Sequence, residues 1–205
     1  AFCDLGEWRV SPDRNLLAYC LDLDGNEAFV VHIKRLDTGA MLSERIGNAY
    51  YGLEWDATSQ YVFYTTLGEA HRPDSVWRHR VGDDPAADVR VFYEPDIRYE
   101  AGVVKTSDGA SLLVTLSSNT QTEIWHVPAA LPPADPQPLV VRGAQHEYSV
   151  DRRGGWFYIR TNLDASNFRV VVAPVTAPGI AHWQELVPHD PDFLILDEPT
   201  TGVDP

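Results

Sequence analysis

A strand, a polar turn and a returning strand recur four times in this sequence at nearly constant spacing. Trp8-Arg9-Val10 leads through Ser11-Pro12-Asp13-Arg14-Asn15 into an apolar run at 16–20, and Asp24-Gly25-Asn26 then turns into a third run at 28–33. The second unit repeats the order with Gly52-Leu53-Glu54-Trp55, the turn Asp56-Ala57-Thr58-Ser59, and strands at 61–65, 75–80 and 89–93. In the third, 102–105 precedes Ser107-Asp108-Gly109 and strands at 112–116 and 123–127. The fourth has Tyr148-Ser149-Val150, the turn Asp151-Arg152-Arg153-Gly154-Gly155, and strands at 156–160 and 168–172. With Asp13, Asp56, Asp108 and Asp151 taken as equivalent turn positions, the units are 43, 52 and 43 residues apart.

That period, with β-branched and aromatic strands between Asp and Gly turns, predicts the four-stranded antiparallel blades of a β-propeller. The expected class is all-β, a partial propeller of about four blades at 1–45, 46–95, 96–143 and 144–190. An immunoglobulin-like sandwich also uses short, closely spaced strands, but it gives no reason for a repeat of this length. No segment of useful length before residue 190 has helical periodicity. The five prolines between Pro128 and Pro138 mark an exposed loop between strands, because proline cannot donate within a central ladder.

The chain has 205 residues, a formal charge of -14 and only two lysines, Lys34 and Lys105. Phosphate contacts need clustered cations, so nucleic acid and anionic membranes are not expected partners. Arg152-Arg153, the nearest approach to a basic cluster, is expected at a solvated hairpin tip. Cys3 and Cys20 are too few for a disulfide scaffold, and no apolar run approaches the roughly 20 residues of a membrane span. No signal peptide opens the chain, which points to the cytoplasm, and the missing initiator methionine is expected to mark a start inside a longer protein.

No catalytic residue is expected in the chain. None of its ten serines lies in the G-x-S-x-G turn that exposes a hydrolase nucleophile. The seven histidines (His32, His71, His79, His126, His146, His182 and His189) are scattered singly, so no metal site is expected. Asp22 with Asp24, Asp83 with Asp84, and Glu94 with Asp96 read as turn chemistry, because a glycosidase needs carboxylates on opposite sides of one bond. The six tryptophans are expected at corresponding strand positions, wedged between neighbouring blades where large apolar area is most valuable.

Several strings, in order, resemble the N-terminal propeller of the prolyl oligopeptidase family, and most closely its oligopeptidase B branch. They are Val76-Trp77-Arg78-His79, Tyr93-Glu94-Pro95-Asp96 with Tyr99, Thr122-Glu123, and His146-Glu147-Tyr148-Ser149-Val150-Asp151. Phe157-Tyr158-Ile159-Arg160-Thr161-Asn162, Asn167-Phe168 and Trp183-Gln184-Glu185-Leu186-Val187-Pro188-His189 continue the series, the last at the expected start of the following blade connection. The resemblance implies about four blades of a seven-bladed ring that caps an α/β-hydrolase domain with a Ser, Asp and His triad. It implies a peptidase for short peptides with basic residues, whose propeller admits peptides and excludes folded proteins. The peptide partners would be engaged through that hydrolase domain, and the partial propeller is expected to self-associate.

Residues 193–205, Phe-Leu-Ile-Leu-Asp-Glu-Pro-Thr-Thr-Gly-Val-Asp-Pro, look like the Walker B strand and D-loop of an ABC-type ATPase. By that resemblance Asp197 would hold Mg²⁺ and Glu198 would polarise water. The chain has no G-x-x-x-x-G-K-[ST] loop to cradle phosphates, so no cofactor is expected and residues 191–205 read as a chimeric junction. Two further readings compete with the peptidase propeller: a non-enzymatic propeller scaffold and a fragment of an ABC ATPase.

Overall fold

The computed structural model describes residues 2–130, 134–140, 142 and 146–189. Three antiparallel sheets account for these residues. The first joins β1 (Asp4–Val10), β2 (Leu16–Asp22), β3 (Phe29–Arg35), β4 (Met41–Trp55), β5 (Tyr61–Leu67), β6 (Pro73–Arg80) and β7 (Val89–Tyr93) in sequence order. The second holds β8 (Glu100–Lys105), β9 (Ser111–Ser117), β10 (Thr122–Pro128) and β11 (Gln137–Pro138), and the third holds β12 (Tyr148–Arg153), β13 (Trp156–Thr161), β14 (Arg169–Pro174) and β15 (Gln184–Val187).

The seven-stranded sheet is two blades sharing one long strand. The first part of β4 pairs with β3 through Met41, Arg45 and Ile46, while Leu53, Glu54 and Trp55 pair with β5. Strand β4 therefore closes one blade and opens the next, giving four blades of four strands. Gly52 lies at this passage with φ +121, where a Cβ would meet Thr65 Cγ2 at 2.9 Å, so only glycine fits.

Core placement follows from the two-residue period of a strand. In β5, Val62 and Tyr64 pack toward the first blade while Phe63 packs toward the third. In β9, Leu112, Val114 and Leu116 face the second blade and Leu113 faces the fourth. Both central strands thus read as continuous buried runs. Strands β2 and β13 instead alternate, burying Ala18 and Cys20 in the first and Phe157 and Ile159 in the second. Three cores result, one per joint between blades, and each fully buried Trp55, Phe63 or Phe157 contributes about 1.5–3 kcal/mol.

Among the described residues, nothing covers the outward faces of the first and last blades. Trp8 is 57% exposed on β1, and Trp156 and Tyr158 are 40% and 38% exposed on β13.

Several expectations are corrected by the register. The hairpins close through Ser11 with Leu16, Asp56 with Tyr61 and Thr106 with Ser111, so Asp56 stands two places before the position shared by Asp13 and Asp108. Asp151 is within β12, opposite Tyr158, and the fourth hairpin turns at Gly154-Gly155. Residues 184–187, expected to lead toward a further blade, form the outer strand of the fourth. Met41 to Gly47, not expected as strand, closes the first blade. Among the tryptophans, only Trp77 and Trp125 occupy corresponding positions, each on the third strand of its blade. Pro138 sits in the two-residue edge strand β11 and Pro128 ends β10, where a missing N–H costs little.

Candidate functional surface

Antiparallel alternation puts the first hairpin of every blade on one rim of the arc and the 68–72, 94–99 and 118–121 connections on the opposite rim. Along the inner wall, Glu54 bridges two blades: Arg9 Nε donates to its Oε1 at 3.1 Å, and Lys105 Nζ lies 3.7 Å from its Oε2. Burial pulls the Lys105 ammonium below its ordinary range while Glu54 and Asp56 oppose the shift. Trp55 is wedged at the same joint and donates its indole N–H to Arg9 O at 2.9 Å.

Hairpin latches tie successive blades on the first rim. Asp13 N–H donates to Ser59 Oγ at 3.1 Å, Ala57 N–H to Ala129 O at 3.0 Å, and Ser107 N–H and Oγ–H both to Asp151. Arg152, expected in solvent, turns back to donate to Ser111 Oγ at 2.9 Å and approaches Asp108 at 3.8 Å.

That arginine completes a Ser111, His126 and Arg152 cluster, with Ser111 Oγ 2.8 Å from His126 Nε2. The pair has the spacing of a nucleophile and base, yet Ser111 is fully buried and no substrate carbonyl reaches its hydroxyl. Burial, reinforced by Arg152, depresses the His126 pKa to about 4 and keeps the ring neutral. A second buried group joins Tyr64 and His79 through Asp88, at 2.8 and 2.7 Å, and burial drives the Tyr64 phenol well above its usual range. Among the described residues, no three His, Cys, Asp or Glu side chains gather as a metal would require.

The opposite rim carries a charge clamp that the sequence did not disclose. Arg142 donates to Glu94 from the preceding blade connection and to Glu123 on β10, and its guanidinium stacks 4.4 Å from the Tyr99 ring centroid. Glu94 is therefore more than a turn residue, although it also accepts from Asp96 N–H at 2.8 Å. Asp22 and Asp84 do keep to turn chemistry: Asp22 accepts from the N–H groups of Asp24, Gly25 and Glu27, and Asp84 caps the 3-10 turn at Pro85–Ala87. Asp197 and Glu198 lie outside the described residues.

An arc of four-stranded blades with its cores between the blades defines a β-propeller domain. The sequence matches the prolyl oligopeptidase N-terminal β-propeller domain over residues 1–200, and the chain belongs to that family. Protease 2 of Moraxella lacunata is 35% identical over 169 residues, covering 82% of this chain and 24% of the relative. Dipeptidyl aminopeptidase BI of Pseudoxanthomonas mexicana is 30% identical over 196 residues, covering 95% and 27%. Oligopeptidase B from Leishmania major superposes with a TM-score of 0.86 at 26% identity, over 93% of this chain and 27% of that one. The chain thus spans about a quarter of the length of these relatives. The family match runs into the segment that resembles Walker B, and the comparisons lend the ATPase resemblance no support.

Proposed function

We propose that this chain is part of the propeller that gates access to an oligopeptidase B-like serine peptidase acting on short peptides with basic residues. The observation that carries the reading is the family match across residues 1–200, together with four blades whose first strands carry the linked charges Arg9, Glu54 and Lys105. A propeller does no bond-breaking itself. Its contribution is geometric, admitting extended peptides and excluding folded chains, while the hydrolase domain of the parent supplies nucleophile, base and oxyanion donors. Remaining blades of that parent would cover the apolar outer faces carrying Trp8, Trp156 and Tyr158.

A reducing compartment is part of the proposal, supported by two free thiols, one buried at Cys20 and one exposed at Cys3. Among the described residues, no helix is long and apolar enough to cross a membrane.

The test is a domain graft. This chain's residues 1–189 replace the matching segment of Moraxella lacunata Protease 2, and cleavage of an Arg-containing fluorogenic peptide and of a folded protein is measured. The proposal expects a hybrid that cleaves the peptide and spares the folded protein, with no cleavage by the 205-residue chain alone. Cleavage by the repurified chain, or a folded hybrid that degrades the folded protein, would overturn it.

A further inference from the structure

Two adjoining clefts open on the rim that carries the 68–72, 94–99 and 118–121 connections, and their charges are opposite. The first, about 260 Å³, is walled by Arg72, Arg98 and the polar turn Ser118-Asn119-Thr120-Gln121, with no carboxylate in its lining. The second, about 390 Å³, is walled by Glu69, Asp74, Glu94 and Asp96 with Tyr93 and Ile97 at its edge. Arg72 and Tyr99 line both.

The dividing wall is fixed. Tyr99 is 5% exposed, its hydroxyl donates to Gln121 Oε1 at 2.6 Å, and Arg142 holds its ring from behind. On the cationic side, Arg72 is already held by Glu100 and by Ile97 O, whereas Arg98 uses Nε and Nη2 on Asp96, leaving Nη1 without a hydrogen bond among the described residues. That exposed pair is weakly held, so the guanidinium is available to a better acceptor. On the anionic side, Arg142 neutralises Glu94 and Arg98 neutralises Asp96, whereas Glu69 and Asp74 form no ion pair among the described residues. Asp74 is held in the wall of that cleft: its Oδ1 accepts from Ser75 Oγ, and its Oδ2 packs against Gly68, where a Cβ would be only 2.0 Å away.

We propose that the paired clefts bind a short zwitterionic peptide. Its terminal carboxylate would meet Arg98 and the donors of the 118–121 turn, and its terminal ammonium would meet Asp74 and Glu69. Side chains between the two ends would rest on Tyr93 and the 72% exposed Ile97. Charge-assisted hydrogen bonds at both ends set the polarity of binding, and the rigid tyrosine between them sets its span. The site rests on the charges of the clefts themselves, so its failure would leave the family membership and the gating proposal intact.

Calorimetric titration of the 205-residue chain with Ala-Leu-Ala in free, N-acetylated and C-amidated forms tests it. Free peptide is expected to bind saturably, and each blocked end to weaken binding by about tenfold or more. Asp74→Asn should weaken the free and amidated forms but leave the acetylated form unchanged, and Arg98→Gln should leave the amidated form unchanged while weakening the other two. Absence of saturable binding by the free peptide, or equal binding of all three forms to the unsubstituted chain, would overturn the proposal.

Discussion

Arg142 and Glu94, 48 residues apart in the chain, meet across the boundary between the second and third blades, with Nη1 donating to Oε1 at 3.3 Å. The carboxylate side chain is 2% exposed and the guanidinium 39%, so the pair is buried from one side only. Glu123 shares the same guanidinium, and its Oε1 also accepts from the Trp125 indole N–H at 2.8 Å. Both acids lift the arginine's pKa far above its already high ordinary value.

Removing the cation leaves two buried carboxylates facing each other. Arg142→Ala should destabilise the chain by about 2–3 kcal/mol, short of the ~3–5 kcal/mol of a fully enclosed pair because the arginine is partly solvated. Arg142→Lys should cost less, since it keeps charge but loses the fork that spans both acids. Urea unfolding monitored by tryptophan fluorescence measures both, and an unchanged midpoint for Arg142→Ala would remove the clamp from the account.

His126 gives the fold a pH dependence of known sign. Its folded pKa, about 4, is below the ordinary 6.5, so the unfolded state binds a proton first as pH falls. Stability should be fully present above about pH 6.5 and decline toward pH 4, at no more than about 1.4 kcal/mol per pH unit. Carboxylates titrate near the lower end, so His126→Gln is the control. Its urea midpoint should fall less between pH 6.5 and 5 than that of the parent chain, and identical profiles would exclude His126 as the source.

The uncovered faces of the first and fourth blades should drive association of the isolated chain. Trp156 and Tyr158 project side by side from alternate positions of β13, next to Val172 and Val170 of β14, and such patches promote contact despite a charge of -14. Sedimentation velocity at micromolar concentration should show species larger than monomer, reduced by Trp156→Glu with Tyr158→Lys. A compact monomer at every concentration would contradict the exposed faces.

Asp197 and Glu198 should confer no nucleotide binding. The sequence carries no G-x-x-x-x-G-K-[ST] loop to offset the repulsion between a carboxylate pair and a triphosphate. Titration with Mg-ATP should give no saturable heat, and a Kd below about 100 μM that is lost on Asp197→Ala would restore the ATPase resemblance.

Much of this architecture was legible from apolar alternation and turn chemistry, which located the first three strands of every blade and the fourth strand of the second. The unrecognised closing part of β4 shows where that signal fades. Met41 to Gly47 places Glu44 and Arg45 in the middle of a strand, and Glu44 is buried because Gly82 N–H, far along the chain, donates to it at 3.0 Å. Strand β15 escaped for the opposite reason, since all four of its residues are exposed and leave no alternating pattern to read. Counting aspartates misaligned the hairpins because Ser11, Asp56 and Thr106 fill one role with three different side chains. The rim clamp was hidden by distance: nothing near Arg142 in sequence announces Glu94, which reads as turn chemistry with Asp96, or Glu123, which stands out only within the family-like string Thr122-Glu123.

Hydrogen exchange measured by mass spectrometry, at a concentration low enough to keep the chain monomeric, tests the open arc most directly. Strands β5 and β9 are covered on both faces, whereas β1 and β15 lie in blades with one bare face, so protection should peak at 61–67 and 111–117 and fall toward 4–10 and 184–187. Equal protection across all four blades, or slowest exchange in the terminal ones, would show that the end faces are covered and contradict an arc of four consecutive blades.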